Sequence, residues 1–262
     1  MSEGAPLRGR AAVITGGGRG VGAAVAHRLA SAGAAVLVAA RTVVEIEQVA
    51  AHLRDEGYAA HAAMCDVSDE SSVEGLAATA RDRLGHVDIL VNNAGIASAA
   101  PIHKTTLETW TRLLTVNATG AFLCLKAFLP GMVERRWGRV VNVASIAGLS
   151  ADRYIAAYAA SKHALVGLTR AAAAEVVEHG VTVNAVCPGY IRTQMTRETL
   201  ARIVQATGRS EQAALEAIVQ RVPQRRLIEP EEVAETVAFL CCDAARGITG
   251  ESLVIDGGEL RR

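Results

Sequence analysis

Short apolar runs alternate with longer amphipathic stretches along most of the chain. The runs cover residues 11–15, 35–40, 59–64, 89–92, 140–144, 181–187 and 253–255. They are rich in Val, Ile, Leu and Ala and lack strict polar alternation, the pattern of strands buried on both faces of a parallel sheet. Between them lie helix-length stretches at 20–32, 43–56, 70–84, 107–134, 156–179 and 231–240. This alternation predicts an α/β fold, a doubly wound parallel sheet of about seven strands with helices on both faces. No Pro/Ser-rich linker or repeat divides residues 1–262, so one domain is expected. Only 190–227 breaks the rhythm. A polar stretch of that length inside a compact domain should carry helices of its own, and a lid over a site is the expectation.

Composition narrows the function. Half of the 262 residues are hydrophobic, and the 27 cationic and 27 acidic side chains cancel. A balanced charge gives no electrostatic reason to expect nucleic acid or an anionic membrane as partner. The start, MSEGAPLRGR, lacks the apolar stretch of a signal peptide, and no apolar run reaches the roughly 18 to 20 residues of a membrane span. A cytoplasmic protein with a small-molecule partner is expected. The five cysteines, at 65, 124, 187, 241 and 242, have neither metal spacing nor convincing disulfide pairing, and the seven histidines are scattered, so no metal site is expected. Only three of the cations are lysines, at 104, 126 and 162, and 104 and 126 read as ordinary helix positions.

The chemistry concentrates in two segments. In AVITGGGRGVGAAVAHRLA, the turn from Gly16 to Gly22, with Gly18, Arg19, Gly20 and Val21 inside it, joins the first predicted strand to the first predicted helix. Glycines there permit a tight turn and close approach of a pyrophosphate to the helix N-terminus. At the end of the second strand no acid awaits a ribose 2′-hydroxyl; Ala40 and Arg41 stand there instead. Arg41 and Arg19 together would favour a 2′-phosphate, hence NADP (NADPH) over NAD, the alternative being two solvated surface arginines. Further on, Ser145 ends a strand, and Tyr158 and Lys162 stand four apart on a predicted helix, so phenol and ammonium share a face. An unperturbed phenol near pH 10 is a poor base. Lowering its pKa by about three units takes roughly 4 kcal/mol of electrostatic stabilisation, which a lysine and an oxidised nicotinamide could supply.

The motifs TGGGRGVG, NNAG, the Asn of TVNATG, the Ser, YAASK and CPGYIRT occur in an order and spacing that resemble the short-chain dehydrogenase/reductase family in its compact single-domain form. The resemblance runs from about residue 10 to residue 258 and implies a Rossmann-type fold. It implies that Tyr158 is the general acid/base, that Ser145 binds the same substrate oxygen, that Lys162 holds the nicotinamide ribose, and that Asn117 supports a water behind Lys162. It further implies Asp66 and Val67 at the adenine, Asn93, Ala94 and Gly95 along the adenosine, and Pro188, Gly189, Ile191 and Thr193 at the carboxamide. Tyr154 and Tyr190, with Ala147, Ile96 and Leu149, are expected to line an apolar substrate pocket.

For substrate, the lid length and the run ASKHALVGLTR resemble polyketide ketoreductases and hydroxybutyrate dehydrogenases. Ala97 and Ala147 stand where the latter typically have Gln and His. The expectation is reduction of a 3-oxoacyl thioester or related bulky ketone. The alternatives are a catabolic dehydrogenase of a cyclic or aromatic alcohol, and a catalytically silent NADP-binding regulator, against which the intact Ser145, Tyr158 and Lys162 speak. A carrier protein would need a basic patch beside the pocket; Arg135, Arg136 and Arg139 supply one at the end of the helix after the fourth strand, but the Ala171–Ala174 run places no cation in the next helix, which speaks against docking. Family members pack their long helices pairwise, which implies a homotetramer, with a dimer as alternative.

Overall fold

The computed structural model describes residues 5–260. Seven strands, β1 Ala11–Thr15, β2 Ala35–Ala40, β3 Ala60–Met64, β4 Ile89–Asn92, β5 Gly138–Val143, β6 Val181–Pro188 and β7 Ser252–Ile255, form one sheet in the order β3-β2-β1-β4-β5-β6-β7. Every pairing is parallel. The order reverses between β1 and β4, and at such a switch point loops leave the carboxyl ends of the strands in opposite directions and open a crevice.

The continuous apolar character of the strands follows from burial on both sides. Within β1, Ala12 and Ile14 join a core with α1 Gly20–Ser31, α2 Val43–Asp55 and α9 Pro230–Cys241, through Leu29, Leu53 and Val237. Val13 points the other way, into a core with α3 Glu70–Leu84, α5 Gly120–Glu134 and α6 Ala156–Val176, through Leu76, Phe128 and Val176. Successive side chains on a strand alternate faces, so only an unbroken apolar run can satisfy both cores. Small side chains let the layers approach: Ala26, Ala30, Ala234 and Ala238 are all buried in the first core.

The stretch 107–134 differs from the single helix that periodicity predicts. It consists of α4 Leu107–Leu114, a π-helical turn Thr115–Thr119 and α5. A π turn carries one extra residue, and such turns recur at functional sites. Here it seats Asn117, buried, so that its amide bonds to both backbone groups of Ile96 (N at 2.8 Å, O at 2.9 Å) and to Ser161 Oγ (2.9 Å). Although Leu107–Glu134 is long and apolar enough to cross a membrane, Cys124, Leu125, Phe128 and Met132 on it are spent in the core.

Residues 190–227 carry α7 Gln194–Thr207 and α8 Glu211–Val219. Leu200, Ala214, Ile218 and Leu227 give this unit a small core of its own. A parallel bridge between Ile191 and Ile228 pins its base.

Candidate active site

Asn93 organises the glycine loop from across the switch point. Its Nδ2 donates to the carbonyls of Thr15 and Gly16 at 3.0 Å each, while Thr15 Oγ1 accepts from the backbone of Asn93 and Ala94. Gly16 needs its left-handed φ of +64°, and a Cβ on Gly22 would stand 2.2 Å from Gly16 O, so neither position admits a side chain. The N-terminus of α1 has no side-chain cap and no acid in its first turn. Its free N–H groups and dipole therefore favour an anion there.

From this turn a cavity of about 970 Å³ runs to the candidate catalytic segment, lined by Arg19, Arg41, Asp66 and Val67 and by Ser145, Ala147, Tyr158, Lys162, Pro188 and Tyr190. That is the upper end of the roughly 300–1,000 Å³ of small-molecule sites. Gly18, Gly20, Val21, Ala94, Gly95, Gly189, Ile191 and Thr193 also line it. A dinucleotide fits this arrangement: a glycine cradle where a Cβ would collide, an uncapped helix end, and an open path to the phenol. Asn117 lies behind the lining, its Oδ1 3.3 Å from where a Cβ on Gly95 would be.

At the catalytic end, Ser145 Oγ accepts from Ala147 N at 3.1 Å and lies 3.5 Å from Pro188 O. Lys162 is buried and donates to Val143 O at 2.9 Å, and its Nζ stands 5.9 Å from the centre of the Tyr158 ring. Burial pushes the Tyr158 phenol up, the Ser145 hydroxyl opposing it. Burial also brings the Lys162 ammonium down to about 8. Both groups are held in their neutral forms more readily than in water, because a charge in this pocket loses its hydration.

Arg19 and Arg41 both border the cavity, each also near an acid: Arg19 Nη1 lies 3.4 Å from Glu45 Oε1 and 2.9 Å from Gln194 Oε1, and Arg41 Nη1 lies 3.9 Å from Asp66 Oδ2. Hydrogen bonds from Ser68, with Arg41 adding to them, hold the Asp66 carboxyl below its usual range. Other expectations change. Tyr154 stands outside the cavity lining, 59% exposed with φ +71°. Because α6 begins only at Ala156, the four-residue spacing from Tyr154 to Tyr158 is not a helical one. Leu149 is likewise turned into a small core with Leu165. The basic patch does not sit beside the pocket. Arg139 opens β5 at the amino end of the sheet, buried against Asp243 (3.1 Å), and Arg135 bonds Val87 O (2.6 Å). Ser145 follows the other end of β5, some 20 Å away at about 3.3 Å per residue. Sequence patterning missed Glu45, Asp152, Gln194, Arg221 and Glu259, all in the lining. Glu45, Arg221 and Glu259 find their partners on other elements, and Gln194 meets Arg19 as well as Glu198 on its own helix, so local spacing does not mark them as lining residues.

Residues 10–203 match the family described as short chain dehydrogenase. The chain belongs to that family. A D-beta-hydroxybutyrate dehydrogenase from Cupriavidus necator is 37% identical over 96% of this chain and 98% of its own. A 3-oxoacyl-[acyl-carrier-protein] reductase from Synechocystis sp. is 37% identical over 96% and 97%. Actinorhodin polyketide ketoreductase, solved with NADPH, superposes with a TM-score of 0.93 at 37% identity, covering 95% of this chain and 97% of that one. This short-chain dehydrogenase is accordingly an NAD(P)-dependent oxidoreductase.

Proposed function

We propose that this short-chain dehydrogenase is a cytoplasmic NADP(H)-dependent reductase of a 3-oxoacyl thioester or a related bulky, hydrophobic ketone. The observation that carries the reading is the single cavity joining the glycine cradle to Ser145 and Tyr158. When bound, NADPH supplies the hydride to the carbonyl carbon. Tyr158 gives its phenolic proton to the carbonyl oxygen, which Ser145 Oγ binds at the same time. Keeping the phenol protonated suits reduction, because the proton must still be there when the oxygen develops charge. Lys162, ordinarily charged but brought down to about 8, is able to exchange a proton near neutral pH, and its Nζ stands 5.9 Å from the centre of the Tyr158 ring. Asn117 fastens the Ile96 backbone on one side and Ser161 of α6 on the other, and so positions the helix that carries Tyr158 and Lys162.

Arg41 and Arg19 support a preference for the 2′-phosphate. With Arg135 and Arg139 engaged at the far end of the sheet, specificity for the substrate rests on the cavity rather than on a docked carrier protein. The long helices support a homotetramer, which sedimentation should register as four times the subunit mass.

The test is a panel of ketones and secondary alcohols assayed with NADPH, NADH and their oxidised forms by nicotinamide absorbance. Bulky neutral ketones with NADPH should give the highest kcat/KM, and absence of turnover across the panel would refute the reading. Arg41→Asp should raise KM for NADPH about tenfold or more and that for NADH little, one charge-assisted hydrogen bond being worth about that factor. Equal effects would refute the 2′-phosphate assignment.

A further inference from the structure

Beside the glycine loop the cavity is bordered by Arg19, Arg41 and Arg112 against the carboxylates of Glu45 and Asp66. Asp66 is committed: Ser68 donates to it from N (3.0 Å) and Oγ (2.6 Å), and Arg41 and Arg112 both act on it. Glu198, further along the lining, accepts from Gln194 Nε2 at 3.0 Å. Glu45 is left with Arg19. Among the described residues its side-chain donor is Arg19 Nη1, 3.4 Å from Oε1, and the same nitrogen donates to Gln194 Oε1 at 2.9 Å.

Glu45 stands in the first turn of α2, the helix that begins directly after Arg41 and Thr42. Its carboxylate lies across the glycine loop: a Cβ on Gly18 would be 2.9 Å from Glu45 Cβ and 3.3 Å from its Oε2. An acid at a helix N-terminus is ordinary, because the dipole favours it. This one also occupies a guanidinium that a 2′-phosphate would use. Two effects then compete. Holding Arg19 in place would prepare it for the phosphate, whereas an anion on the same guanidinium would be separated from Glu45 by little more than that guanidinium and be repelled. The side chains of Arg19 and Glu45 are 58% and 33% exposed, and such pairs restrain each other weakly. Repulsion acts instead on a phosphate carrying about −1.5 to −2 charges, and so it is the larger effect.

We propose that Glu45 sets the size of the preference between the two nicotinamide cofactors. Its carboxylate engages Arg19 in the cofactor-free protein and repels the 2′-phosphate that competes for that guanidinium, so NADP(H) binds more weakly than Arg19 and Arg41 by themselves would allow. NAD(H), with a neutral 2′-hydroxyl, escapes this repulsion. The pyrophosphate is common to both cofactors, and its interaction with Glu45 cancels in their ratio. This rests on the 2′-phosphate assignment above and refines it: the arginines give the preference its direction, and Glu45 limits it.

The test is fluorescence titration of NADPH and of NADH into the native protein, Glu45→Gln and Glu45→Asp, at about 0.05 M and about 1 M salt. Glu45→Gln, which keeps the shape and loses the charge, should bind NADPH about fivefold more tightly at the lower salt and NADH within about twofold of native. At the higher salt, where charges are screened beyond about 3 Å, the gain should shrink below about twofold. Glu45→Asp retains a carboxylate and should leave the ratio of the two dissociation constants within about twofold of native. An unchanged ratio in Glu45→Gln, a fall in its NADPH affinity, a gain that survives high salt, or an equal shift in Glu45→Asp would overturn the proposal. The assignment beneath it fails separately: if Arg41→Asp weakens NADPH and NADH equally, no 2′-phosphate is read at this end of the cavity.

Discussion

The glycine loop and the 190–227 unit meet across the same cavity, Arg19 to Gln194 and Gly20 to Thr193, yet they are built differently. Around the loop the backbone is over-determined. Asn93 holds two consecutive carbonyls, Gly22 has no room for a methyl group, and a buried chain of side-chain bonds runs from Asn92 through Asn142 to Thr169. In the 190–227 unit, few side chains are buried, and exposed pairs such as Arg192–Glu229 and Arg226–Glu232 hold its base. Exposed pairs of this kind contribute little. The contrast separates two tasks. A glycine cradle tolerates almost no change, whereas the 190–227 unit can vary without disturbing the two main cores.

The comparison breaks most readily at the chemistry. Tyr158→Phe leaves both regions intact and removes only the transferable proton, so turnover should fall about 10³-fold, within the range for lost acid–base catalysis. NADPH binding, followed by fluorescence titration, should remain measurable. Turnover close to native would sink the assigned role.

A glycine pair sharpens the structural side. Gly22→Ala drives a Cβ against Gly16 O and should cost about 3 kcal/mol together with dinucleotide affinity. Gly208→Ala at the end of α7 meets nothing within 4 Å, so only its left-handed φ of +69° resists, at about 1 kcal/mol. Urea denaturation of both variants distinguishes these costs. Similar losses would dissolve the contrast between the rigid loop and the tolerant 190–227 unit.

The effect at Lys162 has the opposite sign. Its pKa falls from 10.5 to about 8 on folding. Between those values the unfolded chain binds the proton that the folded protein releases, so native stability rises with pH through that window. Below about pH 8 the full penalty of roughly 3 kcal/mol is present. Lys162→Met removes it and forfeits the bond to Val143 O, worth about 1 kcal/mol. The variant should be inactive yet about 2 kcal/mol more stable at neutral pH, the gain turning into a loss of about 1 kcal/mol above the unfolded pKa. Denaturation at both ends of the window checks this, and a gain independent of pH would point to packing instead.

All seven strands are where the apolar runs predict them, β5 starting two residues earlier than expected. The reason is that burial on both faces imposes an unbroken apolar pattern visible locally. The glycine turn and the pairing of Tyr158 with Lys162 are legible for a similar reason, since turn conformation and helical spacing depend on near neighbours. The π turn at Asn117 is not, because a full helix has nearly the same periodicity and the extra residue is stabilised by bonds to Ile96 and Ser161 on other elements.

Charge was the least legible feature. Arg19 finds its partners 26 and 175 residues away, Arg139 finds its own 104 residues away, and Glu259 is opposed to Arg221 only after β7 closes the sheet. Periodicity, turn chemistry and motif spacing are properties of neighbouring residues, so the doubly wound sheet, the cradle and the Tyr158–Lys162 spacing are written along the chain. Which arginines are neutralised, which tyrosine reaches the cavity and which carboxylate meets Arg19 depend on distances between elements. Those distances exist only once the sheet has brought the ends of its strands together.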